Sequence, residues 1–282
     1  MTRWGERKKI FLLGDKGQLG TQVKFAAEGE HIDISSHYAL DLTDHDMIDR
    51  VLEEVCPDVV INCAAYTAVD KAEREQEIAF AVNAEAVQRL ASWCAANERH
   101  LVHISTDYVF SGSKPLYEPY TEADAPFPVS IYGQSKLLGE ENIKNEDFEL
   151  YSILRTAWLY GANGNNFLKT MLRLVLGSPE REYKVVSDQF GSPTSADAMV
   201  RQIKSIVANE AYGTFHAASH GYCSWYELAC EFFAQLGLEH NLVPCTTQEY
   251  PTLAARPANS ILDNVRLRSI NLDLFVDWRD DL

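Results

Sequence analysis

The chain has 282 residues, of which 46 % are hydrophobic and 23 % charged, a composition typical of a globular protein that can bury its own core. Lys and Arg number 25 against 41 Asp and Glu, so the formal net charge is −16. This charge argues against nucleic acid or an anionic membrane as a partner, because both attract basic surfaces.

Neither membrane insertion nor secretion is indicated by the sequence. We find no apolar run long enough to span a bilayer, and the polar stretch MTRWGERKK at the start lacks the features of a leader. The six cysteines form no CxxC pair and no cluster with metal-finger spacing. These features predict a cytoplasmic protein with free thiols.

Strand-like and helix-like segments alternate through the first half of the chain. The strands are short, nearly continuous apolar runs, and the segments between them have helical spacing. In chain order, we predict strands at 8–14, 31–36, 57–65, 100–110 and 151–161, and helices at 18–28, 44–55, 77–97 and 135–144. Repeated units of this kind predict an α/β fold, a Rossmann-type doubly wound parallel sheet with helices on both faces.

The pattern loosens after Gly161, where helices and short strands mix with a proline-bearing loop region. We therefore predict a Rossmann domain over 8–160 and a smaller, mixed α/β C-terminal lobe over 161–282. The helix near 195–209 is expected to return to the first domain.

The first strand ends in GDKGQLG, which places glycines at Gly14, Gly17 and Gly20. In a dinucleotide-binding loop, one glycine makes the tight turn, one lets the backbone approach the pyrophosphate, and one lets the helix pack against the strand. The following helix N-terminus supplies free N–H groups to the phosphates. Three glycines alone are weak evidence, but a strand before and a helix after them favour a dinucleotide site.

The end of the second strand bears on which dinucleotide is bound. An acidic residue there would hold the ribose 2′-hydroxyl of NAD. Here the strand ends in DISSH (33–37), with Asp33 inside the strand and residues at its tip that tolerate a 2′-phosphate. We therefore favour NADPH, with NADH as the alternative. Asp41 and Leu42 fall where adenine should lie, although Asp41 suits a turn nearly as well.

The strand HLVHI is followed by STDYVF, which places Ser105, Thr106 and Asp107 at the carboxyl edge of the predicted sheet. Ligands of doubly wound sheets bind at that edge. Thr106 could donate a hydrogen bond to a substrate carbonyl. A capped strand end would account for one of these polar residues, but not for the set.

In SIYGQSKLLGEE, Tyr132 and Lys136 lie four residues apart and share one helix face. An ammonium at this distance is expected to lower the tyrosine pKa from its usual value of about 10. A tyrosine tuned in this way can protonate a developing alkoxide. The alternative interpretation is a solvated surface pair, since helices place such residues together by chance.

Together, these motifs resemble the extended short-chain dehydrogenase/reductase superfamily. Within it, the chain is similar to the dTDP-4-dehydrorhamnose reductase family, in order and over nearly its whole length. The strings that carry this resemblance are GQLG, NCAAYTAVDKAE, VNAEAV, STDYVFSG, YGQSKLLGE, RTAWLYG, GNNFLKTMLRL, DQFGSPTSA and ARPANS.

The resemblance implies NADPH-dependent reduction of the 4-keto group of dTDP-4-dehydro-L-rhamnose to dTDP-L-rhamnose, for cell-surface polysaccharide synthesis. Tyr132 would donate the proton, Lys136 would tune it and hold the nicotinamide ribose, and Thr106 would polarise the ketone.

The same resemblance implies two further groups of binding residues. Those expected at the cofactor, besides the glycines and the catalytic pair, are Gln18, Leu19, Asp41, Leu42, Ala64, Ala65 and Tyr66. Those expected at the nucleotide sugar are Val69, Asp107, Trp158, Asn166 and Arg256. For Trp158 the alternative is a core aromatic, and for Arg256 a surface ion pair of little energetic value.

Metal binding and oligomeric state stay open at this stage. Family members that form a Mg²⁺-bridged dimer use acidic residues, and Asp197 matches one of them, but no partner for it can be matched before Leu282. We assign no metal residue, and we expect a monomer or a homodimer.

Two other functions fit the same fold. A nucleotide-sugar epimerase would not consume NADPH, and a dehydratase would carry an acid where Tyr108 follows Asp107. A non-catalytic protein resembling the regulatory subunit of methionine adenosyltransferase would bind the cofactor and a protein partner. The intact Thr106, Tyr132 and Lys136 argue against a purely regulatory role.

Overall fold

The computed structural model describes Trp4 and residues 8–28, 34–35 and 40–282. The strands in this part of the chain are β1 (Ile10–Leu13), β2 (Ile34–Ser35), β3 (Val59–Asn62), β4 (His100–Thr106), β5 (Tyr151–Thr156), β6 (Leu159–Tyr160), β7 (Tyr183–Val186), β8 (Phe190–Gly191), β9 (Thr194–Ser195), β10 (Gly213–His216), β11 (Cys223–Ser224), β12 (Leu242–Cys245) and β13 (Asn259–Ser260).

The α-helices are α1 (Gln18–Glu28), α2 (His45–Val55), α3 (Val69–Ala72), α4 (Gln76–Phe80), α5 (Ala86–Ala96), α6 (Ile131–Asn145), α7 (Phe167–Gly177), α8 (Ala196–Ala208), α9 (Trp225–Leu236) and α10 (Val265–Ser269). A π-helical turn over Ala81–Glu85 joins α4 to α5, and a 3₁₀ turn over Asp107–Val109 follows β4. In the described part of the chain, no helix has both the length and the apolar character of a membrane span.

Six parallel strands form the main sheet, in the spatial order β2-β1-β3-β4-β5-β10. The predicted parallel sheet with helices on both faces is therefore confirmed. Its strand order reverses between β1 and β3, and the crevice outside the carboxyl ends of the strands at such a point is where doubly wound sheets bind ligands.

Both faces of this sheet are buried because successive side chains point to opposite sides. Ile10 and Leu12 face α1 and α8, whereas Phe11 and Leu13 face α2 and α5. Each such side chain stabilises the fold by about 1.5–3 kcal/mol when fully buried. The helix predicted near 195–209 is α8, and it packs on the same face of the sheet as α1.

Shorter sheets accompany the main one in the second half of the chain. The pairs β7–β12 and β6–β9 are parallel, and β8 lies between β11 and β13. Met171 and Val175 of α7 pack with Phe233 of α9 to form a separate apolar cluster.

The long helix predicted over 77–97 is confirmed as a continuous helical segment, but it contains a π-helical turn that was not predicted. The buried Asn83 lies in that turn, and its amide binds both main-chain groups of Tyr66, with N···O distances of 2.8 and 3.1 Å. A π-helical turn adds a residue to a helix and often marks a functional site. The amide of Asn83 also donates to Ser135 of α6, which ties the loop after β3 to the helix that carries Tyr132.

Candidate active site

A cleft of about 800 Å³ lies at the carboxyl edge of the main sheet. Its walls come from the loops after β1, β3 and β4, from the first turns of α6, and from segments near β6 and α9. The predicted site residues among those that line it are Gly14, Gly17, Gln18, Leu19, Ala64, Ala65, Val69, Thr106, Asp107, Tyr132, Lys136 and Trp158.

The glycine loop is shaped by close approach of backbone to backbone. Gly14 has φ +79°, and a Cβ there would lie 2.7 Å from the Ala64 nitrogen. A Cβ on Gly20 would overlap the carbonyl group of Gly14. The Gly17 N–H donates to the Gly14 carbonyl at 2.9 Å, which closes the turn into α1. This loop therefore brings free N–H groups at the α1 N-terminus to the cleft, as a phosphate ligand requires.

The residues expected near adenine have different surroundings. Leu42 lines a small cavity of about 170 Å³ that it shares with Gly14 and Ala64. The exposed Asp41 accepts hydrogen bonds from the N–H and hydroxyl of Thr43 at 2.9 and 2.7 Å, and these bonds lower its carboxyl pKa. The geometry of Asp41 supports the turn interpretation. Asp33 and residues 36–37, which led us to favour NADPH, lie outside the described residues.

Tyr66 lies in the loop after β3, and both of its main-chain polar groups form hydrogen bonds with the Asn83 side chain. Its hydroxyl donates a short hydrogen bond to the exposed carboxylate of Glu75. The Tyr66 hydroxyl thus points to Glu75, and the residue is not among those that line the cleft, whereas its neighbours Ala64 and Ala65 are.

Tyr132 is buried near the start of α6, where Ser130 caps the helix by accepting from the Gly133 N–H at 3.1 Å. Its ring packs edge-to-face against Tyr108. Burial raises the pKa of Tyr132 to about 12, although a hydrogen bond with Thr106 lowers it in part. The expected lowering is therefore wrong for the free protein, because the loss of hydration on burial dominates the pKa.

Lys136 is only 1 % exposed, so the solvated-pair interpretation is wrong. Its Nζ donates to the Ile104 carbonyl at 2.7 Å and lies 3.1 Å from His103 Nε2. Burial lowers the pKa of Lys136 to about 8, against opposing effects of Glu140 and Cys63. A buried amine with a pKa near neutrality can exchange a proton during a reaction.

Thr106 is the last residue of β4, and Asp107 begins the turn that follows. The Thr106 hydroxyl accepts from the Tyr108 N–H at 3.2 Å and donates to Asp107 Oδ1 at 3.0 Å. Burial raises the pKa of Asp107 to about 6. The cleft therefore holds a hydroxyl, a phenol and an amine side by side, which is a suitable set for proton transfer to a carbonyl oxygen.

Trp158 both packs against the core and lines the cleft, so its two interpretations are compatible. It adopts φ +46°, and its ring stacks on Trp225, with centroids 3.6 Å apart. Trp225 also lines a second cavity of about 730 Å³, which lies against β7, α7 and Arg256. The cleft and the second cavity therefore meet at the indole ring of Trp225.

Arg256 lines the second cavity and is half-buried. Its guanidinium binds Asp70 with two N···O distances of 3.1 and 2.8 Å, and this pairing lowers the carboxyl pKa of Asp70 to about 2. The ion-pair interpretation therefore holds for this structure, but the pair lies at a cavity wall.

Asn166, expected at the diphosphate, has its side-chain amide engaged within the protein. Its Oδ1 accepts from the Lys169 N–H at 2.9 Å and so caps α7. Its Nδ2 donates to Gln18 Oε1 and to the Gly161 carbonyl, both at 2.8 Å. The amide thus caps α7 and joins it to α1, and the neighbouring Asn165 lines the cleft.

Several residues of the site were missed from the sequence. Trp225, Tyr108 and Asn165 line the cleft, as does Cys63 after β3. Asn165 could have been predicted from the sequence, because it precedes the predicted Asn166 in GNNF. Trp225 had no local signal, since its helix begins far along the chain.

The described residues contain no group of three or more His, Cys, Asp or Glu side chains that could hold a metal. Asp197, the residue considered for Mg²⁺, accepts a hydrogen bond of 2.5 Å from Gln22.

Comparison with known proteins gives consistent matches over nearly the whole chain. A family model described as the RmlD substrate binding domain matches residues 8–282. The dTDP-4-dehydrorhamnose reductase of Mycolicibacterium smegmatis is 39 % identical over 280 residues, which cover 98 % of this chain and 84 % of that protein. The enzyme of the same name from Escherichia coli K12 is 36 % identical, with 96 % and 94 % covered.

Solved structures give the same relationship. The crystal structure of dTDP-4-dehydrorhamnose reductase from Bacillus anthracis in complex with NADP matches with a TM-score of 0.92 and 38 % identity, over 97 % of this chain and 96 % of that one. A UDP-glucose 4-epimerase from Thermus thermophilus matches with a TM-score of 0.82 but only 16 % identity, so it shares the fold alone. The chain belongs to the dTDP-4-dehydrorhamnose reductase family.

Proposed function

We propose that this protein reduces the 4-keto group of dTDP-4-dehydro-L-rhamnose with NADPH and yields dTDP-L-rhamnose. The observation that carries the proposal is the meeting of Thr106, Tyr132 and Lys136 with the glycine loop in one cleft. Family membership adds the substrate, because the relatives are named for this reaction. The product would serve cell-surface polysaccharide synthesis, as the similarity to a spore coat polysaccharide biosynthesis protein of Bacillus subtilis suggests.

The cleft fits a dinucleotide. A side chain at Gly14 or Gly20 would meet backbone, so the loop keeps its N–H groups accessible to phosphate. The related Bacillus anthracis structure holds NADP. When bound, NADPH supplies the hydride. Gly14, Gly17, Gln18 and Leu19 would hold its pyrophosphate end, and Lys136 its nicotinamide ribose.

Tyr132 is the proposed proton donor. Because its pKa is raised to about 12, the phenol keeps its proton at neutral pH and can give it to the sugar oxygen as hydride arrives. The Thr106 hydroxyl would orient the same oxygen. Lys136 would return a proton to the phenolate.

The second cavity is the proposed nucleotide end of the substrate site. It joins the cleft at Trp225, and Arg256 on its wall offers a planar fork suited to phosphate. Trp158 and Val69 would contact the deoxysugar. A diphosphate that engages Arg256 would compete with Asp70 for the guanidinium. The positive charge of this guanidinium would allow a protein with a net negative charge to bind an anionic ligand.

Replacing Arg256 with alanine should raise the KM for the nucleotide sugar about tenfold or more, because a hydrogen bond to a charged group contributes ~1.5–3 kcal/mol. NADPH affinity should stay unchanged. Steady-state kinetics with each substrate varied in turn measures both. Arg50→Ala, on the exposed surface of α2, is the matched control. A loss of thermal stability with an unaltered KM would reduce Arg256 to a structural ion pair.

Replacing Gly14 with alanine should weaken NADPH binding about tenfold or more, since strain of ~1–3 kcal/mol falls on the loop that holds the cofactor. Fluorescence titration with NADPH measures the change. Gly177→Ala is the control, because a Cβ at that position meets nothing within 4 Å. Equal affinities for the two variants would contradict the assignment of the loop.

The proposal is tested by mixing the protein with NADPH and enzymatically generated keto sugar, with other nucleotide keto sugars as controls. We expect one NADPH to be oxidised for each sugar reduced. An epimerase would convert the sugar without consuming NADPH. A regulatory protein would turn over neither and would bind a methionine adenosyltransferase.

We also propose which parts of the chain bind each ligand and in which compartment the protein works. Residues 8–160, together with α8 and β10, would bind the cofactor, and the rest of 161–282 would bind the nucleotide sugar. The cytoplasm is the proposed compartment, because all six cysteines are unpaired, as in reducing surroundings.

A further inference from the structure

A chain of three buried polar side chains runs behind the cleft, from β3 through β4 to α6. Asn62, His103 and Lys136 are each no more than 1 % exposed. Asn62 Nδ2 lies 3.1 Å from His103 Nδ1, and His103 Nε2 lies 3.1 Å from Lys136 Nζ. Neither Asn62 nor His103 carries a motif that predicts this role from the sequence.

The orientation of the Asn62 amide is set by the backbone. The Ala64 N–H lies 3.1 Å from Asn62 Oδ1 and can only donate, so the oxygen must be on that side. The amide N–H group of Asn62 therefore points to His103 Nδ1 and donates to it. A ring nitrogen that accepts carries no hydrogen, so Nδ1 of His103 is the unprotonated one.

The hydrogen on the ring must then be on Nε2. Burial and the neighbouring Lys136 hold the pKa of His103 well below its usual value, so the ring is neutral and carries a single N–H. That N–H points to Lys136 Nζ. An ammonium there would place a donor against a donor, whereas a neutral amine offers a lone pair and can still donate to the Ile104 carbonyl.

We propose that His103, fixed as its Nε2–H tautomer by Asn62, is a positioning residue that stabilises the neutral amine of Lys136. Its catalytic meaning rests on the proposed function. Tyr132 gives its proton to the sugar oxygen, and the phenolate recovers a proton from the Lys136 ammonium. The amine left behind accepts the hydrogen bond of His103, and a proton from solvent restores the ammonium. His103 thus favours transfer from lysine to phenolate.

Other titratable groups around Lys136 do not cancel the stabilisation of its neutral amine by His103. Glu140 raises the pKa of Lys136, but its carboxylate binds Arg155 at 2.6 Å and Ser105 at 2.6 Å. Cys63 is neutral, because burial raises its thiol pKa to about 12. Tyr132 is likewise protonated at neutral pH in the free protein.

The direct test is NMR of the protein with nitrogen-labelled histidine, in which the ring nitrogen shifts distinguish the two neutral tautomers. The signal of His103 is assigned among the eight histidines by its loss in His103→Gln. We expect the Nε2–H tautomer. The Nδ1–H tautomer would overturn the proposal, whether or not the protein reduces the keto sugar.

The pH profile of kcat supplies the second readout, which a merely structural role would not move. In the unaltered protein, kcat should fall as the pH rises above about 8, where Lys136 loses its proton. Asn62→Asp keeps an oxygen for Ala64 and places another toward His103 Nδ1, so the ring should change to its Nδ1–H tautomer and accept from the ammonium. The alkaline limb should then move up by about one pH unit or more.

Asn241→Asp, the same change at an exposed position, is the control and should leave the profile in place. A folded Asn62→Asp protein with an unmoved alkaline limb would overturn the proposal. If that variant does not fold, the tautomer of the unaltered protein decides alone. Failure of the unaltered protein to oxidise NADPH would instead count against the proposed function.

Discussion

The Tyr132→Phe protein is expected to reduce the keto sugar at least about a hundredfold more slowly, because it lacks the proton donor. The substitution removes a single oxygen and keeps the ring that packs on Tyr108. NADPH affinity and thermal stability should therefore stay close to those of the unaltered protein. Single-turnover kinetics separates the loss of the chemical step from any effect on binding.

Tyr151→Phe is a matched control for this prediction. It removes a hydroxyl from a tyrosine at the first residue of β5, whereas the cleft lies at the opposite, carboxyl edge of the sheet. Turnover by the control should be normal. Normal turnover by Tyr132→Phe as well would show that the proton comes from another group, such as the buried Asp107, whose pKa is raised to about 6.

The Lys136→Met protein should lose both NADPH affinity and turnover, with kcat/KM lowered about a thousandfold. Loss of the proton supply to Tyr132 should slow the reaction about a hundredfold. Loss of the hydrogen bonds that the charged lysine would make to the cofactor should cost a further ~1.5–3 kcal/mol each. Methionine fills the space of the lysine stem, so the core contact is kept. The loss should appear in the Kd for NADPH and in the single-turnover rate.

Lys144→Met tests whether any lysine of α6 matters in this way. Lys144 lies two turns further along the helix, is partly exposed, and pairs with Glu140 at 3.2 Å. We expect a small change in stability and a normal Kd for NADPH. If Lys136→Met binds NADPH as well as Lys144→Met does, the lysine does not contact the cofactor.

The parts of the site that lie in short, local patterns could be predicted from the sequence. Gly14, Gly17 and Gly20 follow one strand and open one helix, and the spacing of Tyr132 and Lys136 fixes their common face. Parallel strands bring all of these to one edge of the sheet, so the cleft follows from the order of the elements.

The protonation states could not be predicted in the same way. The spacing of Tyr132 and Lys136 suggested a lowered tyrosine pKa, but the pKa depends on how much water each group loses on folding. Both side chains are buried, and burial raises the pKa of the phenol and lowers that of the amine. Burial is a property of the packed fold and has no signature in a four-residue spacing.

Polar residues inside family strings were also hard to assign. Asn83 and Asn166 occur in strings that resemble the family, yet both use their amides to hold neighbouring backbone and side chains. Trp225 comes from a helix that reaches the cleft only through tertiary packing. A sequence pattern can single out such residues, but their hydrogen-bond partners and packing contacts are known only from the folded structure.

The central claim is that hydride from NADPH reaches the sugar carbonyl in the cleft that holds Tyr132. We would incubate the protein with keto sugar and with NADPH carrying deuterium at both C4 positions of the nicotinamide, and analyse the product by mass spectrometry and NMR. The account predicts one deuterium per product molecule, bonded to C4 of the sugar. Product that carries no deuterium at C4, or NADPH that is not consumed, would contradict it.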